Sequence, residues 1–260
     1  MNLPVEVIEA ARQDRCVLFL GNRAAVEAAE LLGGSCVDQR GIAKQLGWKK
    51  PMIVAGKKGT VVGVEDTASA FERANGRPAL LAALAAGLGG AGAPSAAHDV
   101  AVRRFPLILT TNYDDLLERA AAAAGVPIDV LGRQSVLPAP QQGRCTLVRL
   151  RGEFARPDTM LVTAADHAAR PLGAELKKQL RLLMRHQVVL FVGFRPDEEE
   201  FERLFSELSD AYGGELPRCH LAVAQGPIDD FLWQKWVWRG LLMFTADPVE
   251  CLTELEARRS

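Results

Sequence analysis

The sequence predicts an α/β protein built on a parallel sheet. Short apolar runs, of the kind found in strands buried on both sides, alternate with stretches whose apolar residues recur at helical spacing. Strand and helix units in alternation are typical of parallel sheets with helices on both faces. The chain has 260 residues, which is enough for one large domain with a smaller insertion. The expected architecture is therefore a Rossmann-like, doubly wound parallel sheet with a small, mostly helical insertion.

Five segments have the length and composition of core strands. In chain order they are Cys16–Leu20, Leu107–Thr110, Val188–Val192, 220–223 and 241–244. The third is followed by a clear helical pattern, because Phe201, Leu204, Phe205 and Leu208 fall on one helix face. Four acidic residues at 197–200 precede this face, and negative charge is favourable at a helix amino terminus.

The strand pattern fades between residues 31 and 94. This stretch contains several helical patterns interrupted by Gly and Pro, of which 79–88 is the richest in Ala and Leu. Residues 48–63 are basic and contain glycines, as in a short hairpin or a loop. We expect a single domain over residues 1–260, with a small helical subdomain at about 31–94.

The composition is that of an ordinary globular protein. The chain is 48% hydrophobic and 24% charged, with a formal net charge of -1, so nucleic acid is an unexpected partner. It has no apolar run long enough to span a bilayer, and its first residues lack the pattern of a secretory signal. These features predict a cytoplasmic protein without membrane contact.

Metal binding is not expected. The five cysteines are odd in number and form no CxxC pair, and none of the four histidines is spaced from another histidine or a cysteine like a metal ligand. The motifs of P-loop enzymes, zinc metalloproteases and α/β-hydrolases are also missing from the sequence.

The segment 105–120, FPLILTTNYDDLLERA, is the most informative one. Its apolar run stops on a polar cluster that includes Thr111, Asn112 and Asp114, and a helical stripe follows. In open α/β sheets, ligands bind at the carboxyl ends of the strands, which is where this cluster falls. The alternative is structural: Asn112 caps the following helix, and Asp114 lies in its first turn.

Three motifs together resemble those of the sirtuin-like (SIR2-like) family of NAD-dependent proteins. They are TTNYDDLLERA, RLRGEFARPDTMLVTAADH and LFVGFRPDEEEFERLF, in an order and spacing similar to the family's. The closest likeness is to the divergent prokaryotic branch found in defence systems. The resemblance implies a site for NAD or an ADP-ribose-type nucleotide, lined by Thr111, Asn112 and Asp114, with Gly193 at the turn after the late strand.

Two departures from the family concern its chemistry. The family's first strand leads into a Gly-Ala-Gly loop that approaches the cofactor phosphates, whereas here Gly21 is followed by Asn22 and Arg23. Arg23 adds bulk in that loop, although it can also offer a cation to phosphate. The family's general-base histidine is replaced by Arg151, and a guanidinium cannot accept the proton. Arg151 can instead hold a phosphate or a carboxylate.

Two functional hypotheses follow. In the first, the chain is a catalytically degenerate module that senses a nucleotide or binds a protein partner in a bacterial defence or regulatory system. In the second, it is an NAD hydrolase with a relocated base; Asn112 and Asp114 supply the residual catalytic groups, and His167 is the candidate base.

The aromatic segment 231–240, FLWQKWVWRG, bears on partners. Trp233 and Trp236 are three residues apart and can share a helix face, which favours core packing. The alternative is an aromatic hot spot at a protein interface or in self-association, with Trp238 and residues 48–63 as further surfaces.

Overall fold

A computed structural model describes residues 3–21, 64–88, 92–216, 219–223 and 228–258. Seven strands in these ranges form one parallel sheet. The strands are β1 Cys16–Leu20, β2 Leu107–Thr110, β3 Ile128–Gly132, β4 Cys145–Arg149, β5 Val188–Val192, β6 Cys219–Val223 and β7 Leu241–Thr245. Their order across the sheet is β3-β4-β2-β1-β5-β6-β7, and each neighbouring pair is parallel.

Ten α-helices lie in the part of the chain that the structure describes. They are α1 Val5–Arg12, α2 Val64–Asn75, α3 Arg77–Leu88, α4 Ala96–Arg104, α5 Leu116–Ala124, α6 Ala164–Ala169, α7 Ala174–His186, α8 Glu199–Tyr212, α9 Asp230–Trp238 and α10 Pro248–Ala257. A 3-10 turn, Pro157–Thr159, follows β4. Among these helices none is both long and apolar enough to cross a membrane.

The sheet is covered on both faces, which confirms the doubly wound α/β prediction. Alternate residues of β1 enter different cores: Leu18 and Leu20 pack into a cluster with α1, α4 and α10, whereas Phe19 packs into a cluster with α7, α8 and α9. Every residue of β1 is buried. Each such aliphatic side chain contributes roughly 1.5 to 3 kcal/mol of hydrophobic stabilisation, which makes the central strands the most strongly specified part of the fold.

The direction in which successive strands are added to the sheet reverses at β1. From β1 it moves to β2 on one side, and it later returns to β5 on the other side. Leu20 therefore lies beside Thr110 of β2 and beside Val192 of β5. A crevice opens at the carboxyl ends of strands where the winding reverses, so the fold places its ligand position next to Gly21.

Helices α2 and α3 pack against the segment that follows β4. Ala68, Leu80 and Leu84 form a small core with Met160 and Val162. The guanidinium of Arg77 reinforces this contact, because it donates hydrogen bonds to Asp166 Oδ2 (2.7 Å) and to the carbonyl of Met160 (2.8 Å). The helix predicted for 79–88 is thus part of α3. Residues 48–63, predicted as a hairpin or loop, lie outside the described residues.

Candidate functional site

Two glycines bring the ends of β1 and β5 into direct contact. The amide of Gly21 donates a 2.8 Å hydrogen bond to the carbonyl of Val192. A Cβ atom on Gly21 would lie 2.5 Å from the carbonyl oxygen of Gly193 and 2.9 Å from Cδ1 of Phe194. Gly193 itself has a φ of 77°, a conformation that favours glycine. The sequence motif suggested Gly21 for close approach to phosphate, and the structure adds a packing reason for it.

Polar groups at the end of β2 are only partly satisfied. The hydroxyl of Thr110 donates to the carbonyl of Leu20 (2.8 Å) and accepts from the amide of Asn112 (3.1 Å). Thr111 and Asn112 are 4% and 7% exposed. Neither Thr111 Oγ1 nor Asn112 Oδ1 has a hydrogen-bond partner among the described residues. A buried polar atom without a partner is unfavourable, so both atoms are candidates for contact with a ligand.

The capping interpretation is wrong for Asn112. Helix α5 begins at Leu116, and its first amide donates to Asp114 Oδ1 at 3.1 Å. Asp114 therefore precedes the helix and supports its start, and Asn112 lies further upstream. Burial raises the pKa of Asp114, an effect that the hydrogen bond from Leu116 and the charge of Arg149 oppose.

Arg149, at the end of β4, fixes the backbone of this loop. Its Nη1 donates to the carbonyl of Asn112 (3.0 Å), and its Nη2 donates to the carbonyl of Asp114 (2.5 Å). Its Nε lies 3.0 Å from Glu118 Oε1 and 3.1 Å from Glu153 Oε2. The fork of guanidinium donors thus holds two loop carbonyls and two carboxylates at once, which an ammonium group cannot do. No motif in the sequence marks Arg149 as part of the site.

Arg151 lies in a buried cluster of charges. Its Nη2 is 3.5 Å from Glu65 Oε1 on α2, and its Nη1 is 3.8 Å from Glu200 Oε1 on α8. Although desolvation acts to lower its pKa, the nearby Glu200, Tyr113 and Glu65 raise it overall. Arg151 therefore stays charged, and two carboxylates of this chain lie within 4 Å of its guanidinium.

Glu65 is the centre of the cluster. It is 3% exposed, and it contacts Arg203 of α8 as well as Arg151. His167 of α6 joins the group, with Nε2 at 3.4 Å from Glu65 Oε1. Burial, together with the charges of Arg151 and Arg203, lowers the pKa of His167 to about 3. His167 is therefore neutral near pH 7 and a weak base.

Tyr113 completes the wall beside Arg151. Its hydroxyl donates to the carbonyl of Leu161 (2.5 Å), and its ring packs against Phe154 with centroids 5.7 Å apart. Burial raises the pKa of Tyr113 to about 12 despite the neighbouring Arg151. The phenol thus stays protonated at neutral pH, and neither Tyr113 nor Arg151 can accept a proton from a substrate.

The carboxyl edge of the sheet gathers most of the residues singled out in the sequence. Those that follow the carboxyl ends of the four adjacent strands β4, β2, β1 and β5 are Gly21, Thr111, Asn112, Asp114, Arg151 and Gly193. Asn22 and Arg23, named for the phosphate loop, fall outside the described residues. The ranges that the structure covers contain no group of three or more side chains suited to a metal ion.

The aromatic segment 231–240 covers most of α9 and the turn after it, and it packs against α8 and the loop that follows β5. Trp236 is fully buried, and its Nε1 donates to the carbonyl of Pro196 at 2.9 Å. Phe231 and Trp238 are 77% and 71% exposed. The segment therefore divides into a core anchor and an exposed aromatic surface.

The fold and the edge site define a class: an α/β protein whose ligand position lies at the switch point of a doubly wound sheet. The family model described as a SIR2-like domain matches residues 106–238. The chain belongs to the SIR2-like domain family. The matched region contains Asn112, Asp114, Arg151 and Gly193, whereas Gly21 precedes it.

A solved structure gives the same result for the fold. A structure from work on the mechanism and regulation of Sir2 enzymes superposes with a TM-score of 0.51 at 12% identity, covering 99% of this chain and 98% of that one. Another, from a study of sirtuin substrate affinity, has a TM-score of 0.46 at 13% identity and covers 93% of each chain. At this identity the first likeness establishes the shared architecture alone.

Proposed function

We propose that this SIR2-like domain binds NAD or an ADP-ribose-type nucleotide as a sensor and does not catalyse deacylation. The observation that carries the proposal is the state of Arg151, which stands where the family has its catalytic histidine. Arg151 is paired with Glu65 and Glu200 in a buried cluster. A nucleotide can occupy the switch-point crevice without using Arg151, but a proton-transfer step at that position cannot proceed.

The residues at the carboxyl edge fit a nucleotide. Gly21 packs directly against the backbone of Gly193, which fixes both glycines at the switch point. The unpartnered Oδ1 of Asn112 and Oγ1 of Thr111 are suited to the hydroxyl and amide groups that a nucleotide presents. We propose that Gly21, Gly193, Thr111 and Asn112 hold the ligand. Bound NAD would bring an N-glycosidic bond with nicotinamide as its leaving group.

The alternative function, an NAD hydrolase with a relocated base, has one supporting observation. His167 lies in the same cluster as Arg151, 3.4 Å from Glu65 Oε1, and it is neutral. Its pKa of about 3 makes it a poor proton acceptor at neutral pH, however. The alternative therefore requires that Asp114 stabilise an oxocarbenium-like transition state strongly enough to bring hydrolysis to about one per second.

Calorimetric titration with NAD and with ADP-ribose, combined with chromatography of released nicotinamide, separates these functions. The sensor proposal expects saturable binding of at least one nucleotide, with nicotinamide release far below about one per second. Asn112→Ala should weaken binding by roughly tenfold, since a buried polar contact is lost. Asn75→Ala is the matched control, because Asn75 is an exposed residue of α2.

Each outcome decides between the readings. Binding without turnover supports the sensor. Release at about one per second supports the hydrolase. No binding of either nucleotide at millimolar concentration contradicts both, and the chain would then act through a protein partner alone. By analogy with the prokaryotic branch that its motifs resemble, we propose that the domain serves a cytoplasmic defence or regulatory system.

A further inference from the structure

A cavity of about 1050 Å³ lies at the amino ends of β2 and β4, on the edge of the sheet opposite the proposed nucleotide position. The end of α4, the loop that joins β3 to β4, and the second half of α7 line it. Ligand sites in proteins have volumes of about 300 to 1,000 Å³. The cavity can therefore take several side chains of one ligand.

Aliphatic side chains and side-chain amides line the cavity together. Leu107, Leu137 and Leu183 supply aliphatic wall, and Gln179 and Gln187 of the α7 side supply amides. An amide side chain both donates and accepts hydrogen bonds, as each peptide unit of a backbone does. This combination suits a polypeptide that has aliphatic side chains.

Gln179 shows how this wall binds a backbone. Its Oε1 accepts a 2.7 Å hydrogen bond from the amide of Leu137, and its Nε2 donates a 3.0 Å hydrogen bond to the carbonyl of the same residue. Gln187, which directly follows α7, lines the same cavity. Its side-chain amide makes no hydrogen bond with another residue that the structure describes. Gln187 therefore offers a donor and an acceptor to a second backbone segment.

Unpaired positive charge flanks the cavity along α7. Arg181 and Arg185 are exposed and one turn apart, and within the described ranges neither forms an ion pair. Lys178 is 72% exposed and reaches a carboxylate only at 4.0 Å. Leu182 lines the cavity and lies one turn from both Lys178 and Arg185, so it joins the cavity to these cations. The arginines that line the cavity itself are already paired with acidic residues of this chain.

We propose that this cavity binds a segment of a partner protein that carries large aliphatic side chains followed by acidic ones. The aliphatic side chains pack against the leucines, the backbone pairs with Gln187, and the acidic side chains meet the cations of α7. A single-stranded nucleic acid fits less well, because sites for it stack bases on exposed aromatic rings. Among the described residues that line the cavity, the aromatic one is Phe105, which is 4% exposed.

Panning a random-peptide phage library against the whole chain tests the proposal, and it does not depend on nucleotide binding. The selected peptides should be enriched in Leu or Ile together with Asp or Glu. Panning against Arg185→Glu should shift the enriched charge from acidic to basic, whereas Arg73→Glu, on the exposed side of α2, should not. An enriched set with no acidic bias, or one that is the same for Arg185→Glu, would overturn the proposal.

Fluorescence anisotropy with a labelled, selected peptide then locates the binding position. Ala139→Trp should weaken binding by roughly tenfold or more, because Ala139 is an exposed residue of the cavity wall and an indole there fills the space. Ala86→Trp is the matched control, since Ala86 is exposed on α3, a helix that packs near the opposite edge of the sheet. Equal affinities for the two variants would place the peptide elsewhere and overturn the proposal. Binding of a single-stranded oligonucleotide that Ala139→Trp abolishes, with no peptide selected, would assign the cavity to nucleic acid instead.

Discussion

Arg151 Nη2 and Glu65 Oε1 lie 3.5 Å apart in an ion pair whose side chains are 10% and 4% exposed. The pair joins the carboxyl end of the central sheet to helix α2. In the sequence these two residues are remote and belong to different segments. Their contact explains how the fold accommodates Arg151 in a buried position: a buried cation needs a buried anion, and α2 supplies it.

Removing the carboxylate should be strongly destabilising. In Glu65→Gln, the guanidinium groups of Arg151 and Arg203 lose their shared anion, and a broken buried ion pair costs about 3 to 5 kcal/mol of unfolding free energy. Urea denaturation measures the change. Glu175→Gln is the control, because Glu175 faces Lys178 at the surface with 63% of its side chain exposed, and such pairs contribute little.

A double variant separates the ion pair from simple loss of packing. Glu65→Leu with Arg151→Met replaces both charges by apolar groups, so it should be less destabilising than the sum of the two single substitutions. Strict additivity would mean that the two residues act independently. The cluster would then not be the link between α2 and the sheet.

Gly21→Ala should destabilise the fold by about 2 to 3 kcal/mol, because overpacking of this size forces backbone shifts. The added Cβ would meet the carbonyl oxygen of Gly193 at 2.5 Å. Gly132→Ala on β3 is the matched control, since nothing lies within 4 Å of a Cβ there. Thermal unfolding of both variants measures the difference. Equal melting temperatures would contradict the close contact between Gly21 and Gly193 at the ends of β1 and β5.

Much of the sheet could be predicted because its strands are buried on both faces. The bounds of β1, β2 and β5 agree with the apolar runs, and β6 and β7 differ by one residue each. Strands β3 and β4 were not among the five predicted. Strand β4 is buried, but Thr146 and Arg149 interrupt its apolar run, and every residue of Ile128–Gly132 in β3 is only half-buried. An edge strand that contains Asp129 and Gly132 lacks the continuous apolar pattern that identifies a core strand.

The candidate site could be predicted only where its residues follow strands. Asn112 and Gly193 belong to segments whose position at the carboxyl edge follows from the fold class. Glu65 gave no such signal, because an acidic residue in the first turn of a helix is usually a solvated end charge. That it turns inward to Arg151 depends on how α2 packs, which no local pattern encodes.

Arg149→Lys should loosen the loop at Asn112 and Asp114. A lysine cannot donate to both loop carbonyls while also pairing with Glu118, so we expect a loss of about 2 to 3 kcal/mol in stability. If Asn112 holds a nucleotide, binding should weaken as well. Arg144→Lys is the control, since the Arg144–Asp129 pair is 36% exposed on each side. Unchanged unfolding and titration curves for Arg149→Lys would show that the loop keeps its conformation without the hydrogen bonds of Arg149.

Three buried histidines should make the folded state sensitive to mild acid. Burial lowers the pKa of His98 to about 4, that of His167 to about 3, and that of His220 below its ordinary value. Below pH 6.5, the ordinary pKa of a histidine, the unfolded chain binds protons at these positions that the folded chain does not. The contribution of these neutral histidines to the unfolding free energy is therefore fully present above pH 6.5, and it is lost as the pH falls towards 4. Asp114 has the opposite effect, because burial raises its pKa and its protonation in mild acid therefore favours the folded state. It is one group against three histidines.

The unfolding free energy should therefore decrease as the pH is lowered from 7 to 6 and to 5, and urea titration at each pH measures it. Each histidine contributes up to about 1.4 kcal/mol per pH unit once its unfolded form is protonated. His98→Asn should reduce the slope by about one proton, because an asparagine in its place carries no charge in either state. In the wild type, the backbone amide of Ser95 donates a 3.1 Å hydrogen bond to His98 Nδ1. The side-chain oxygen of the asparagine can accept the same hydrogen bond. A stability that stays flat from pH 7 to pH 5 would mean that these histidines are protonated in the folded protein, and the buried cluster around Glu65 would then carry an extra positive charge on His167.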